Sequence, residues 1–168
     1  MNDTVIAAPE SLWKRRVINP IVAQLKQGMS PDKITLNIAL GAVLGIFPIV
    51  GLTTLLCGVV AWRLRLNQPL IQLMNYLMYP LHLLLLLPFY RAGETLFQQP
   101  HVPIFSVSDL IARFSTSPTQ FITDYGMVGL YGVTVWCLVA LPLSGALYLM
   151  LRAPIQTLAA RIEIARQK

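Results

Sequence analysis

The residues able to do chemistry in this sequence are few, and most are cations. Arg63 and Arg65 flank Leu64 and run directly into Asn67 and Pro69. A guanidinium is a planar fork that holds phosphate or carboxylate through two parallel hydrogen bonds, so this run suits an anionic group. The same arginines also make an anchor whose heads rest among lipid headgroups. His82 stands inside a long uncharged tract that also holds Asn75, Tyr76, Tyr79 and Pro80. An imidazole there either relays protons or stays neutral and bonds to a carbonyl or a tyrosine. Asn75 and His82 share a helix face unless Pro80 rotates the second half of the tract.

Enzyme constellations are missing. The acids are Asp3, Glu10, Asp32, Glu94, Asp109, Asp124 and Glu163, and all stand outside the long apolar tracts. There is no HExxH, no paired carboxylate, no GxSxG and no phosphate-cradling glycine loop, so catalysis is not expected. Glu94 and Asp124 flank tract ends, and His101 is near, but no motif joins them. Cys57 and Cys137 lie in apolar tracts without CxxC or Cys/His spacing. They read as small packing residues, and neither a metal nor a cofactor is expected.

The elements that must position these groups follow from composition. The chain has 168 residues, of which 55% are hydrophobic and 12% charged. An ordinary soluble domain carries about 25% charged residues, so too little polar surface remains to cover a soluble core. Three tracts hold no Asp, Glu, Lys or Arg: 34–62, 66–90 and 125–151. No signal-peptide pattern precedes the first. The net charge is +6, with basic residues clustered near tract ends. No nucleic-acid motif accompanies them, which makes anionic headgroups of membrane lipids the expected partner.

A membrane-spanning helix needs about 20 apolar residues. Tracts 66–90 and 125–151 each fit one span, tilted or bent at a proline. Tract 34–62 does not. As one straight helix it would reach about 43 Å at about 1.5 Å per residue, and its halves only about 15–20 Å each. Pro48 and Gly51 stand at its middle, in Phe47-Pro48-Ile49-Val50-Gly51, and are residues that end helices and turn chains. This predicts a re-entrant hairpin that turns near mid-depth and leaves on the side it entered. Charge agrees. Lys14, Arg15, Arg16, Lys26 and Lys33 precede the tract; Arg152, Arg161, Arg166 and Lys168 follow the last one; 91–124 holds only Arg91 and Arg113. The excess of cations in cytoplasmic loops then puts both termini, Arg63 and Arg65 on the cytoplasmic side and 91–124 outside. Three full crossings, with one terminus outside, is the competing topology.

The hairpin turn cannot satisfy its own backbone groups, so protein or a watery cavity must cover it. It either forms a substrate or ion site, as broken helices do in transporters, or packs against a neighbouring subunit with Thr53 and Thr54 capping loose carbonyls. Gly41 and Gly45 allow close helix contact on the first arm. The flanks look amphipathic. Residues 11–27 form an interfacial helix with Trp13 at headgroup depth, divided at Asn19-Pro20 with Asn19 as cap. Gly28 ends it, and Ser30-Pro31-Asp32 opens the next helix. Ser106 or Ser108 starts a short helix, Ser117-Pro118 starts the third span early, and Pro154 opens an amphipathic tail.

Ser30-Pro31, Ile38-Ala39-Leu40-Gly41, Gly45, Pro48, Gly51 and Thr54, followed by Arg65, Asn67 and Pro69, resemble the bacterial membrane family called domain of unknown function 2062. The resemblance covers roughly 12–151. Where that family has Asn-Pro followed by Thr, this chain reads Tyr79-Pro80-Leu81-His82, with Asn75 four residues earlier. The resemblance implies a multi-pass protein of the bacterial inner membrane with no established activity. Some members adjoin glycosyltransferase-like regions, which points toward the cell envelope.

The expected fold is therefore an all-α integral membrane protein. It has a cytoplasmic segment 1–33 with an interfacial helix, a re-entrant hairpin 34–62 and a transmembrane helix 66–90. An external loop 91–124 with a short helix, a transmembrane helix 125–151 and an amphipathic tail 152–168 follow. A homo-oligomer or a larger membrane partner is expected to cover the turn. The function expected is transport or handling of a lipid, lipid-linked or small anionic substrate. The candidate site comprises Pro48, Gly51, Thr54, Arg63, Arg65, Asn67, Asn75 and His82. The alternative is a non-catalytic scaffold for envelope-biogenesis enzymes.

Overall fold

The computed structural model describes residues 14–101 and 107–166. Trp13 and Ser106 lie outside them, and the side chain of Asp124 is likewise not described. All the regular structure among the described residues is helical. A π-helical turn, Lys14–Ile18, runs into α1 (Asn19–Lys26). Asn19 is not the cap the sequence led us to expect, because Ile18 before it is already helical. Pro20 lacks an N–H and its ring presses on the carbonyl four residues back, and the wider π turn gives that carbonyl room. Gly28, at φ 87°, ends α1. The Met29 N–H returns to the Gln24 carbonyl and the Gly28 N–H to that of Leu25, a Schellman closure.

Helix α2 (Pro31–Gly45) opens as its sequence dictates. Ser30 caps it by accepting from the Lys33 N–H, and Pro31 occupies the first turn, where a missing N–H loses nothing. The chain breaks over 46–51, and Gly51 at φ 88° starts α3 (Leu52–Arg63). Arg65 closes α3 in a second Schellman arrangement at φ 52°, a left-handed position that glycine usually fills. Asn67 caps α4 (Gln68–Leu77) through its side-chain oxygen, 2.9 Å from the Leu70 N–H.

Tract 66–90 is not one continuous helix. The chain bends by 63° between α4 and α5 (Tyr79–Leu96). Pro80 in the first turn of α5 has no N–H to continue the ladder, and its ring collides with the carbonyl of Tyr76. The bend lies level with the hairpin's top, since Gly45 sits against Asn75 and Met78. After α6 (Val107–Thr116), the chain ends in α7 (Pro118–Arg166). Pro118 starts α7 early, as the sequence predicts. Pro154 opens no separate helix: α7 runs through Pro142 and Pro154 without a break. Its 49 residues reach about 73 Å. Each proline forfeits a single ladder bond, which leaves the helix continuous.

Helices α2 and α4 lie parallel and very close. A Cβ built on Gly41 would stand 2.7 Å from the Cβ of Met74 and 2.9 Å from the Ile71 carbonyl oxygen. Helix α3 returns antiparallel along α4, while α7 lies against both α2 and α5. Two apolar clusters hold the assembly. Ile21, Ile34, Ile38, Leu70, Met74 and Ile155 join α1, α2, α4 and α7. Leu44, Cys57, Ala61 and Ile71, with Trp136 against them, join α2, α3, α4 and α7. Cys57 and Cys137 are free thiols, the first buried as a packing residue and the second exposed.

The outside is apolar too. Trp62 is 74% exposed and Leu141 82%. Helix α7 is long and apolar enough to cross a membrane, and α4 with α5 makes a second such span if the bent pair counts as one.

Candidate functional site

The sequence candidates do not converge on one place. They fall at the tip of the hairpin, at its foot, and beyond the bend in tract 66–90.

At the tip, the loose carbonyls left by the helix break find donors on other helices. Tyr90 Oη of α5 donates to the Pro48 carbonyl at 2.7 Å. Trp136 Nε1 of α7 donates to the Val43 carbonyl at 3.1 Å, and its ring meets Phe47 edge-on with centroids 5.0 Å apart. Pro48 is fully buried. Among the described residues Thr53 and Thr54 cap no carbonyl at the turn; Thr54 Oγ1 instead accepts from Asn75 Nδ2. Sequence reasoning missed Tyr90 and Trp136; both are polar-tipped aromatics in apolar tracts, which need a partner when buried.

Thr54 and Asn75 belong to a polar seam. Gln68, Gln72 and Asn75 recur on one face of α4 and reach across to α3. The Gln68 amide donates to the Gly58 carbonyl and the Gln72 amide to that of Thr54, each at 2.9 Å. Asn75 Nδ2 lies 3.3 Å from Thr54 Oγ1. The spacing 68, 72, 75 stands in the sequence and could have been read as a helix-pairing stripe. Gly51 supplies the left-handed backbone that starts α3.

The foot holds Arg63, Arg65 and Asn67. Arg63 and Arg65 are exposed. Asn67, besides capping α4, donates from Nδ2 to Gln24 Oε1 at 2.9 Å and so ties α1 to the α3–α4 connection. Between them opens a cleft of about 540 Å³, lined by Gln24, Gln27, Ser30, Lys33, Arg65 and Asn67, among others. Among the described residues no acidic side chain lines it. The nearest acid in sequence, Asp32, is engaged by α7: Arg152 Nε stands 3.1 Å from Oδ1, with Tyr148 Oη and Gln156 Nε2 each at 3.4 Å. The cleft's own field is therefore that of Lys33 and Arg65.

His82 is buried, and neither ring nitrogen has a hydrogen-bond partner among the described residues. Its ring meets Tyr79 at 6.0 Å between centroids. It touches neither the tip nor the foot through any hydrogen bond.

A further group lies at the far end of α5. Glu94 is fully buried, with Arg91 Nη1 at 2.7 Å and His101 Nδ1 at 2.8 Å. It borders a cavity of about 270 Å³ with Gln99, Thr123, Val128 and Tyr131. The i,i+3 spacing of Arg91 and Glu94 looks like an ordinary surface pair, and nothing in the one-dimensional pattern marks this burial.

The chain belongs to the bacterial family described as "Uncharacterized protein conserved in bacteria (DUF2062)", whose model matches residues 14–162. This is the family whose motif the sequence carries at 30–69. No curated protein and no solved structure matches the chain.

Proposed function

We propose that this is a multi-pass protein of the bacterial inner membrane that handles a lipid, lipid-linked or small anionic substrate at the cytoplasmic foot of a re-entrant hairpin. The role is one of binding or transfer across the interface rather than catalysis. The observation that carries it is the cleft of Lys33 and Arg65, lined by no acid among the described residues, at the base of the uncharged tract 34–62.

Distances along α7 support the membrane reading. Arg152 bonds Asp32 at the foot, Trp136 bonds the hairpin near its turn, and Val128 borders the Glu94 cavity. At about 1.5 Å per residue, Trp136 lies about 24 Å and Val128 about 36 Å from Arg152. Two charged levels thus bracket a slab close to the hydrocarbon thickness of about 30 Å. Both termini and the foot then face the cytoplasm, where the cations belong. The same bookkeeping puts the tip well past the midplane, deeper than tract length alone implies. Tyr90 and Trp136 explain how the broken backbone tolerates that depth.

A specific observation favours the scaffold reading as well. Leu52, Leu55, Val59 and Trp62 form an exposed stripe on α3, and space is open beside Gly51 and Gly58. Such a face suits a second copy of the chain or a partner membrane helix. Complementation of envelope permeability in a bacterium lacking the gene separates the two. Substrate handling predicts that R63Q/R65Q inserts and assembles but does not complement. Full complementation by that variant, with failure of L55A/V59A, would leave the scaffold.

A further inference from the structure

We infer that the cleft between α1, the start of α2 and the α3–α4 connection is a binding site for a phosphate monoester group. This rests on the reading above that the foot handles an anion, and it names the anion's chemistry.

The charge count comes first. Lys33 and Arg65 contribute two positive charges to the lining, and among the described residues no carboxylate opposes them. Asp32, which stands in the first turn of α2, is drawn to Arg152, Tyr148 and Gln156 on α7. A phosphate monoester, with close to two negative charges at neutral pH, matches this balance better than a carboxylate or a phosphodiester. The two cations also differ usefully. Lysine is a mobile point charge, whereas arginine's fork pairs two phosphate oxygens at once.

The neutral groups have the right polarity. Asn67 donates to the side-chain amide oxygen of Gln24, Oε1. That bond occupies the acceptor end of Gln24 and leaves its amide N–H₂ as the end free to donate. Gln27 and the Ser30 hydroxyl add further donors to the same wall. The volume, about 540 Å³, falls within the range of about 300–1,000 Å³ usual for small-molecule sites. It exceeds what a bare phosphate fills, so the group can arrive on a lipid headgroup or on a small soluble ester.

Arg65 has one more property. It holds a left-handed backbone conformation at the end of α3, where glycine is the less strained residue. Arg65→Gly therefore removes the guanidinium while relieving the backbone, and loss of binding in that variant does not trace to unfolding.

The test uses the full chain purified in detergent and isothermal titration with three probes: short-chain phosphatidic acid, inorganic phosphate and short-chain phosphatidylcholine. Phosphatidic acid should bind saturably at one site per chain. K33Q and R65G should each weaken it about tenfold, the scale of one lost charge-assisted hydrogen bond. R161Q, which removes the same charge outside the cleft, should bind as the unaltered chain does. Competition by inorganic phosphate would support the site with a soluble phosphoryl source; phosphatidic acid binding without that competition would support it with a lipid source. The inference is overturned if phosphatidylcholine binds equally, if R161Q weakens binding as much as R65G, or if neither phosphate probe saturates. Titration and complementation fail separately: a chain that binds phosphatidic acid yet complements as R63Q/R65Q loses the functional reading and keeps the site.

Discussion

Gly41→Ala probes the close approach of α2 to α4. Two effects of opposite sign compete. Alanine is favoured over glycine within a helix by about 1 kcal/mol. Against that, the new methyl would stand 2.7 Å from the Met74 Cβ and 2.9 Å from the Ile71 carbonyl oxygen. Neither neighbour is the free end of a flexible side chain, so α2 and α4 must separate. Overpacking of this kind costs about 1–3 kcal/mol. The upper half of that range applies where backbone must move, which leaves a net loss of about 1–2 kcal/mol. Gly58 on α3 is the internal control, because a Cβ there meets nothing within 4 Å. Gly58→Ala should gain up to about 1 kcal/mol. The two variants should therefore differ by about 2–3 kcal/mol in opposite directions. Unfolding in mixed micelles, followed by circular dichroism, measures the difference. If G41A is as stable as G58A, the parallel α2–α4 packing is refuted.

Other outcomes follow from single contacts. Tyr90→Phe leaves the Pro48 carbonyl without its donor, at a cost of about 1–3 kcal/mol for a buried unsatisfied group, and hydrogen exchange should rise over 46–52 before it rises elsewhere. Asn75→Leu removes the bond to Thr54, and stability should fall by about 1 kcal/mol; no loss in a double-mutant cycle with Thr54→Val would show that the seam contributes nothing. Arg65→Gly should raise the unfolding midpoint by the equivalent of about 1 kcal/mol, and a lowered midpoint would mean that the guanidinium itself braces the foot.

The break and return of the chain over 34–62 was legible in the sequence because three signals coincide: a tract too long for one span and too short for two, Pro48 and Gly51 at its centre, and Arg63 and Arg65 placed where the other cations are. A bend at a proline was allowed for in tract 66–90, but its size of 63° and its place after Leu77 were not legible. Pro80 looks no different from Pro88, Pro142 or Pro154, yet those three lie within unbroken helices. What distinguishes Pro80 is its place in the first turn of α5, level with the top of α2, where Gly45 meets Met78. Position relative to another helix does not appear in a one-dimensional pattern. The eight candidate residues suffered from the same blindness. Their types were informative, but Thr54 and Asn75 proved to face each other across α3 and α4, while Arg65 and Asn67 border a cleft about 12–16 Å away along those helices. Lys33, which completes the cation pair of that cleft, read as the last charge before an apolar tract. Its pairing with Arg65 depends on the hairpin returning to its own starting point.

The return of the hairpin to the side it entered decides most directly between the two topologies. It is measured with Leu64→Cys in a chain carrying C57A and C137A, labelled by a membrane-impermeant maleimide in intact spheroplasts and again after lysis. A cytoplasmic foot predicts that Cys at this exposed position stays unlabelled until the membrane is opened. Full labelling from outside would mean that 34–62 crosses the membrane, and would contradict the re-entrant hairpin.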